Sequence, residues 1–270
     1  MISESGFLRC PNCKKSGGVP LQVNCAGESL ICKSCGYCIT KYEGIPDFAD
    51  YIEIDSDKFS TSQKIMNTHF FSRLYETPFW RPLHTFIGSG MSWKAENHII
   101  MDMLRNSNPS IIADVACGTG HYARALMKQF PEAQVYALDI SLSMLMNGQK
   151  KALQSSLQSI KFLRGDLYQL PFEDSTLDIV NCSGALHLFP NISPIFDEIS
   201  RVLKPGGIFT AMTLAPCKGI VGIVQHNLMK NRKAVFFDPD ILSQDLKTNG
   251  FGQFISMQKG VVLLFKAVKD

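Results

Sequence analysis

The sequence predicts an α/β fold: an open sheet of strands alternating with helices, preceded by a small cysteine-built ribbon. Two observations predict it. Short apolar runs end repeatedly in an acid or a small-residue turn and give way to helix-like stretches, and two CxxC pairs stand near the start of the chain. Ligands of open α/β sheets bind outside the carboxyl ends of the strands, so those acids and turns are the first place to look for a site.

The ribbon comes first. Six of the nine cysteines fall within the first 38 residues. Cys10-Pro-Asn-Cys13 and Cys32-Lys-Ser-Cys35-Gly36 are two knuckles with 18 residues between Cys13 and Cys32. That spacing suits four thiolates around one tetrahedral zinc ion. A segment of about 50 residues buries too little apolar surface to fold alone, and a metal supplies the missing stability. Two disulfides are the competing reading. No signal peptide precedes the cysteines and the chain behind them reads as cytoplasmic, which favours metal. Cys25, in the expected hairpin, is an alternative ligand, and Cys38 is expected to pack.

The strands follow in order. Ile111-Ile-Ala-Asp-Val115 is an apolar run that passes into Ala116-Cys-Gly-Thr-Gly120 and then into helix-like sequence from His121 to Phe130. Gly118 and Gly120 let the backbone turn sharply and admit a ligand close to the main chain. The free N–H groups of the helix start favour an anionic group. A second strand, Gln134 to Asp139, ends in a carboxylate placed to accept hydrogen bonds from ribose hydroxyls. The third, Ile160 to Arg164, runs into Gly165-Asp166-Leu167. The fourth, Leu177 to Cys182, runs into Ser183-Gly184-Ala185, and Val261 to Phe265 reads as a late strand.

Taken in order, Asp114-Val-Ala-Cys-Gly-Thr-Gly120, Asp139-Ile-Ser-Leu-Ser-Met144, Gly165-Asp166-Leu167 with Leu170-Pro-Phe172, and Leu203-Lys-Pro-Gly-Gly207 resemble the class I S-adenosylmethionine-dependent methyltransferases, in their quinone- and small-molecule branch. The resemblance runs from about residue 60 to the C-terminus and implies a Rossmann-like, seven-stranded sheet. It implies that Asp114, Ala116, Cys117, Gly118 and Gly120 surround the methionine part of S-adenosylmethionine. Asp139, with Ile140 and Met144 nearby, would hold the ribose. Gly165, Asp166 and Leu167 would hold the adenine, and Ser183 would sit beside the sulfonium. Ala116 departs from the family, which often has a glycine there; alanine is expected to need only a little more room. Asp139 and Asp166 as helix caps, and Cys117 as a packed thiol, are the plainer alternatives. Leu203 to Gly207 is expected to be a structural turn between a helix and the fifth strand.

Beyond the second knuckle, Tyr37 to Phe48, with its Gly-Ile-Pro turn, resembles a segment that closes zinc ribbons joined to methyltransferases. One such group is the bacterial rRNA guanine-N1 methyltransferases; the other is a looser chloroplast, cyanobacterial and bacterial set. The absence of a histidine near the knuckles fits the second. The implied organisation is a zinc ribbon over residues 1–50 and a methyltransferase domain over 51–270. Within the latter, residues 58–103 form a helical cap and 213–240 a lid.

Composition narrows the function. The 270 residues are 45% apolar with a mean hydropathy of +0.02, and no apolar run is long enough to span a membrane. The first 57 residues carry five Lys/Arg against eight Asp/Glu, a poor footprint for RNA phosphates. Tyr75, in the aromatic-rich cap, is placed against the methionine end of the cofactor by the resemblance. The apolar residues Met229, Phe236 and Phe237, with Gly219 and Gly222, suggest a lid that suits a hydrophobic or aromatic small-molecule acceptor. His187, just beyond the fourth strand, is the candidate base, with packing under the lid as its alternative; His121 could touch the cofactor carboxylate. The Asn/Asp-Pro-Pro-Tyr/Phe signature of many amino-methylating enzymes is absent after the fourth strand. Two other functions remain open at this level: an rRNA or tRNA base methyltransferase whose ribbon holds RNA, and a non-catalytic cofactor-binding protein. Oligomeric state is not legible.

Overall fold

The computed structural model describes residues 7–13, 21–23, 29–49, 90–217, 219, 222 and 235–270. Tyr75, Cys25, Met229, the acidic stretch 50–57 and most of the expected helical cap lie outside the described residues. Among the described residues no helix is long and apolar enough to cross a membrane.

Two sheets form. The small one runs β1 (Leu21–Val23), β2 (Ser29–Cys32), β3 (Cys38–Tyr42) and β4 (Ile45–Pro46), all antiparallel neighbours in chain order. After α1 (Trp93–Met103) the large sheet begins with β5 (Ile111–Val115), α2 (His121–Gln129), β6 (Gln134–Asp139), α3 (Leu142–Gln154) and β7 (Lys161–Arg164). Next come β8 (Leu177–Ser183), a 3₁₀ turn at Leu186–Leu188, α4 (Ser193–Val202) and β9 (Leu203–Leu214). The chain then forms α5 (Pro239–Thr248), β10 (Phe251–Lys259) and β11 (Val262–Lys269). The strand order is β10-β11-β9-β8-β5-β6-β7, parallel from β9 through β7, with β11 antiparallel to both its neighbours.

The central strands are apolar because both of their faces are covered. Every residue of β5 is buried. Odd and even positions feed two separate cores: Ala113 and Val115 join one, while Ile112 packs with Ile179, Leu126 and Leu264 in the other. The amphipathic helices supply the covers, as in α4, where Ile195, Phe196, Ile199 and Val202 are buried.

The ribbon is not a separate bead. Asp47 and Arg164 bridge β4 to β7 in parallel, the Phe48 N–H donates to the Arg164 carbonyl at 2.8 Å, and Arg164 Nη1 meets the buried Asp47 carboxylate at 2.6 Å. On another side, Leu8 pairs with Phe172, and the Arg9 N–H donates to Pro171. Arg201 holds that landing strip from beneath, donating to the Leu170 and Phe172 carbonyls and to Glu198 and Asp174. Leu8, Leu30, Ile39 and Phe48 therefore share one core with Leu170 and Phe172.

Three expectations need correction. Leu203 to Gly207 is the start of β9, with Leu177 opposite Leu203 and a register shift before Ile179 pairs with Ile208. Glycine at 206, with φ +76°, lets the chain bulge without leaving the sheet. Cys38 is exposed, since it alternates with buried Ile39 on the outer face of β3. The insert is shorter than 213–240: Thr213 and Leu214 complete β9, and Pro239 and Asp240 open α5.

Candidate functional site

The carboxyl edge of the large sheet is built from the glycine turn outward. Ala116, Gly118 and Gly120 all adopt the left-handed conformation, at φ +50°, +56° and +68°. For alanine the difficulty is therefore backbone strain and not room, because its Cβ crowds the following carbonyl. The turn is fixed by neighbours: the Cys117 N–H donates to the Leu138 carbonyl at 3.0 Å, and a side chain at Gly148 of α3 would meet Phe162 at 2.8 Å and Thr119 at 2.9 Å. The Cys117 thiol is driven well above its usual pKa, by burial first and the charges of Asp139 and Asp114 next, which suits a packed group and not a nucleophile.

Asp139 ends β6 at this edge, and Asp166 lies two residues past the end of β7. Asp139 accepts the Gly118 N–H at 2.7 Å and the Ser141 N–H at 2.9 Å, one on each oxygen. Burial raises its pKa and the N–H donors oppose that rise. A carboxylate offers about four acceptor positions, so two remain for a pair of ribose hydroxyls. The Gly165 N–H reaches the Asp139 carbonyl at 3.1 Å, which seats β7's end beside β6's. Asp166 accepts the Tyr168 N–H at 3.1 Å and is also raised by burial, with Leu167 buried beside it. Met144 is buried in α3, and Ile140 is half-buried just past β6.

Asp114 differs from these. It is buried, Oδ2 accepts the Ala123 N–H at 2.9 Å and Oδ1 accepts from Asn181 Nδ2 at 2.7 Å. It thus ties β5 to the first turn of α2. Burial pushes its pKa up to about 7 against the help of Asn181 and Ala123. Ser183 closes β8, its hydroxyl donating to Asn181 Oδ1 at 2.8 Å. His187 lies in the 3₁₀ turn that follows, half-buried, and its carbonyl accepts the Val235 N–H at 2.9 Å from the far end of the insert. Buried Phe237 donates its N–H to Leu214 at 2.8 Å, so both ends of the insert are fastened near this edge. His121 opens α2 and stacks on Trp93, with ring centroids 3.7 Å apart.

The ribbon presents its own site. The sulfurs of Cys10, Cys13, Cys32 and Cys35 all lie within 4.8 Å of one another, with Cys10–Cys35 at 3.7 Å and Cys13–Cys32 at 3.6 Å. A tetrahedron with metal–sulfur bonds of about 2.3 Å has edges of about 3.8 Å, so the four sulfurs fit one zinc-sized ion. Left to themselves they compete for charge. Burial raises Cys10, hydrogen bonding to Cys35 first pushes Cys13 up to about 12, and the Tyr37 backbone leads in lowering Cys35 to about 6. A dication removes that conflict. Gly36, at φ +72°, turns the second knuckle, and its N–H donates to Cys32 at 2.9 Å.

Sequence reasoning missed Asn181, Thr210 and Gly148. Polar residues inside the otherwise apolar β8 and β9 were the available signal for the first two.

Comparison with known proteins agrees with this fold. Residues 113–211 match the family model described as a methyltransferase domain. An uncharacterized chloroplastic methyltransferase of Arabidopsis thaliana is 28% identical over 98% of this chain and 79% of its own length. The demethylmenaquinone methyltransferase of Geobacillus stearothermophilus is 40% identical, over 35% of this chain and 41% of its own. The chain thus aligns with less than half the length of that enzyme. Among solved structures, Haemonchus contortus phosphoethanolamine N-methyltransferase 2 in complex with S-adenosyl-L-methionine superposes with a TM-score of 0.63 at 17% identity, over 75% of this chain and 57% of its own. Geranyl diphosphate C-methyltransferase of Streptomyces coelicolor gives 0.56 at 14% identity, over 66% and 76%. The large sheet has the class I methyltransferase fold.

Proposed function

We propose that this protein is an S-adenosylmethionine-dependent methyltransferase acting on a small, hydrophobic or aromatic molecule, with one structural zinc ion in its ribbon. The observation that carries the reading is Asp139, a buried carboxylate with acceptor capacity to spare, hydrogen-bonded to the turn of Gly118 and followed along the same edge by Asp166 and Ser183. When bound, the cofactor supplies a methyl group already activated by a sulfonium. The chain's own task is to hold both partners in line and, where the acceptor needs it, to take a proton. Gly118 and Gly120 leave the main chain open to the methionine part, Asp139 fixes the ribose, and Asp166 takes the adenine amino group. His187, whose carbonyl accepts the Val235 N–H, acts as base or orienter. A ribbon without a basic excess, five Lys/Arg against five Asp/Glu over residues 1–50, and with Arg9 engaged by Asp174, offers RNA little, and the likeness to enzymes named for a quinone and a prenyl diphosphate supports a small acceptor.

Calorimetry tests the cofactor assignment. Asp139→Ala should cost about 1.5–3 kcal/mol of S-adenosylmethionine affinity, the scale of hydrogen bonds to a charged group; an unchanged affinity overturns it. His187→Ala should lower kcat about a hundredfold with cofactor affinity nearly constant. Strong methylation of deproteinised rRNA, with steeply salt-dependent RNA binding, would favour an RNA substrate instead.

A further inference from the structure

Three neighbouring strands place polar residues in one row. Asp114 on β5, Asn181 on β8 and Thr210 on β9 are register partners, and all three are buried. The preceding row of the same face, Ile112, Ile179 and Ile208, is apolar. Ser183 stands two residues past Asn181, on the same face and at the carboxyl edge where Gly184 ends the strand.

When Asp114 is ionised, the direction of every hydrogen bond in this row follows from a carboxylate that can only accept. The Ala123 main-chain N–H gives its proton to Asp114 Oδ2 at 2.9 Å, and Asp114 Oδ1 accepts from Asn181 Nδ2 at 2.7 Å. The Asn181 amide oxygen is therefore turned the other way. It accepts the Ser183 hydroxyl at 2.8 Å and the Thr210 hydroxyl at 3.1 Å. A serine hydroxyl has one proton and two lone pairs. With its proton spent on Asn181, Ser183 has only acceptor capacity left for a ligand.

Resting on the cofactor reading above, we propose that Asn181 is a positioning residue: it draws the Ser183 proton inward, so that the edge beside the methyl-bearing sulfur is a hydrogen-bond acceptor that favours a cationic sulfonium over the neutral thioether left after transfer. The selectivity favours loading with the methyl donor and release of the spent form. It requires no movement of the protein.

The experiment is calorimetric titration of the full-length, zinc-loaded protein with S-adenosylmethionine and, separately, with S-adenosylhomocysteine, at a pH above the Asp114 value of about 7 so that its carboxylate is ionised. Asn181→Val frees the Ser183 hydroxyl to rotate, and Ser183→Ala removes it. Each should lower the ratio of the two affinities about tenfold, the scale of one charge-assisted contact, with S-adenosylhomocysteine binding retained. That retained binding also reports that the variant is folded. The exchange Asp114→Asn with Asn181→Asp reverses the bond between these two side chains but keeps an oxygen of residue 181 facing Ser183 and Thr210, and should restore the ratio. Should Asn181→Val fail to fold, this double variant and Ser183→Ala decide the matter. An unchanged ratio in Ser183→Ala, or a lost ratio in the double variant, overturns the proposal and leaves the cofactor assignment standing. Wild-type protein that binds neither compound overturns both.

Discussion

The cysteine ribbon and the carboxyl edge of the large sheet each gather groups from distant parts of the chain, but with different materials. At the ribbon, two knuckles on strands of two to five residues bring four side-chain sulfurs within 4.8 Å of one another, and among the described residues those four alone make up the cluster. At the edge, fully buried strands such as β5 set the position of main-chain groups and carboxylates before any ligand arrives. The first site is completed by its ligand and the second is completed by its scaffold. Stability in the ribbon is therefore expected to depend on metal, and strain at the edge is borne by packing elsewhere.

Metal removal is the largest way to break that contrast. Structural zinc contributes about 10–16 kcal/mol of apparent binding free energy near neutral pH, comparable to the whole stability of a domain. One zinc per chain is expected by elemental analysis. On chelation, hydrogen exchange should show loss of protection at the Cys32 and Gly36 amides, both bonded within the second knuckle, while the amides of β5 and β8 keep theirs. Protected knuckle amides in metal-free protein would mean that the ribbon is held by its contacts to β7 and Pro171 alone.

The same contrast explains what the sequence made legible. Strands β5 to β8 could be read because each ends in an acid or small-residue turn whose meaning is local, and the knuckles because CxxC spacing is local too. The Asp47–Arg164 bridge and the grip of Arg201 on Leu170 and Phe172 join residues far apart in the chain, with no pattern to announce them. The Asp114–Asn181–Thr210 row depends on which strands become neighbours and in which register. Asn181 stood out only as a polar residue in an apolar run. Alanine at 116 was visible as a departure, but its cost was misjudged because φ cannot be read from residue size.

A smaller effect sharpens the scaffold side of the comparison. Asp114 has its pKa pushed up to about 7 by burial, against about 4 in an unfolded chain. Between those values the folded protein keeps a proton that the unfolded chain has released. The resulting stability is complete below about pH 4 and is lost as pH rises through 7, a swing on the order of 4 kcal/mol. Denaturant unfolding from pH 4.5 to 8 should show wild-type stability falling relative to Asp114→Asn. Parallel curves would show that Asn181 and the Ala123 amide hold the carboxylate ionised throughout.

The smallest effect tests strain at the glycine turn directly. Ala116 sits at φ +50°, where a Cβ costs about 1–2 kcal/mol and glycine pays no such penalty. Glycine also gives the unfolded chain more freedom, which offsets about 0.4–1 kcal/mol of that gain. Ala116→Gly should therefore raise unfolding stability by roughly 0.5–1 kcal/mol, a rise of a few degrees in Tm. Cofactor affinity should hold or improve, because the turn keeps its tethers through Cys117 to Leu138 and Gly118 to Asp139. A loss of stability on this substitution would mean that the alanine methyl makes contacts worth more than the strain it carries. The edge would then owe part of its shape to that side chain and not to the backbone alone.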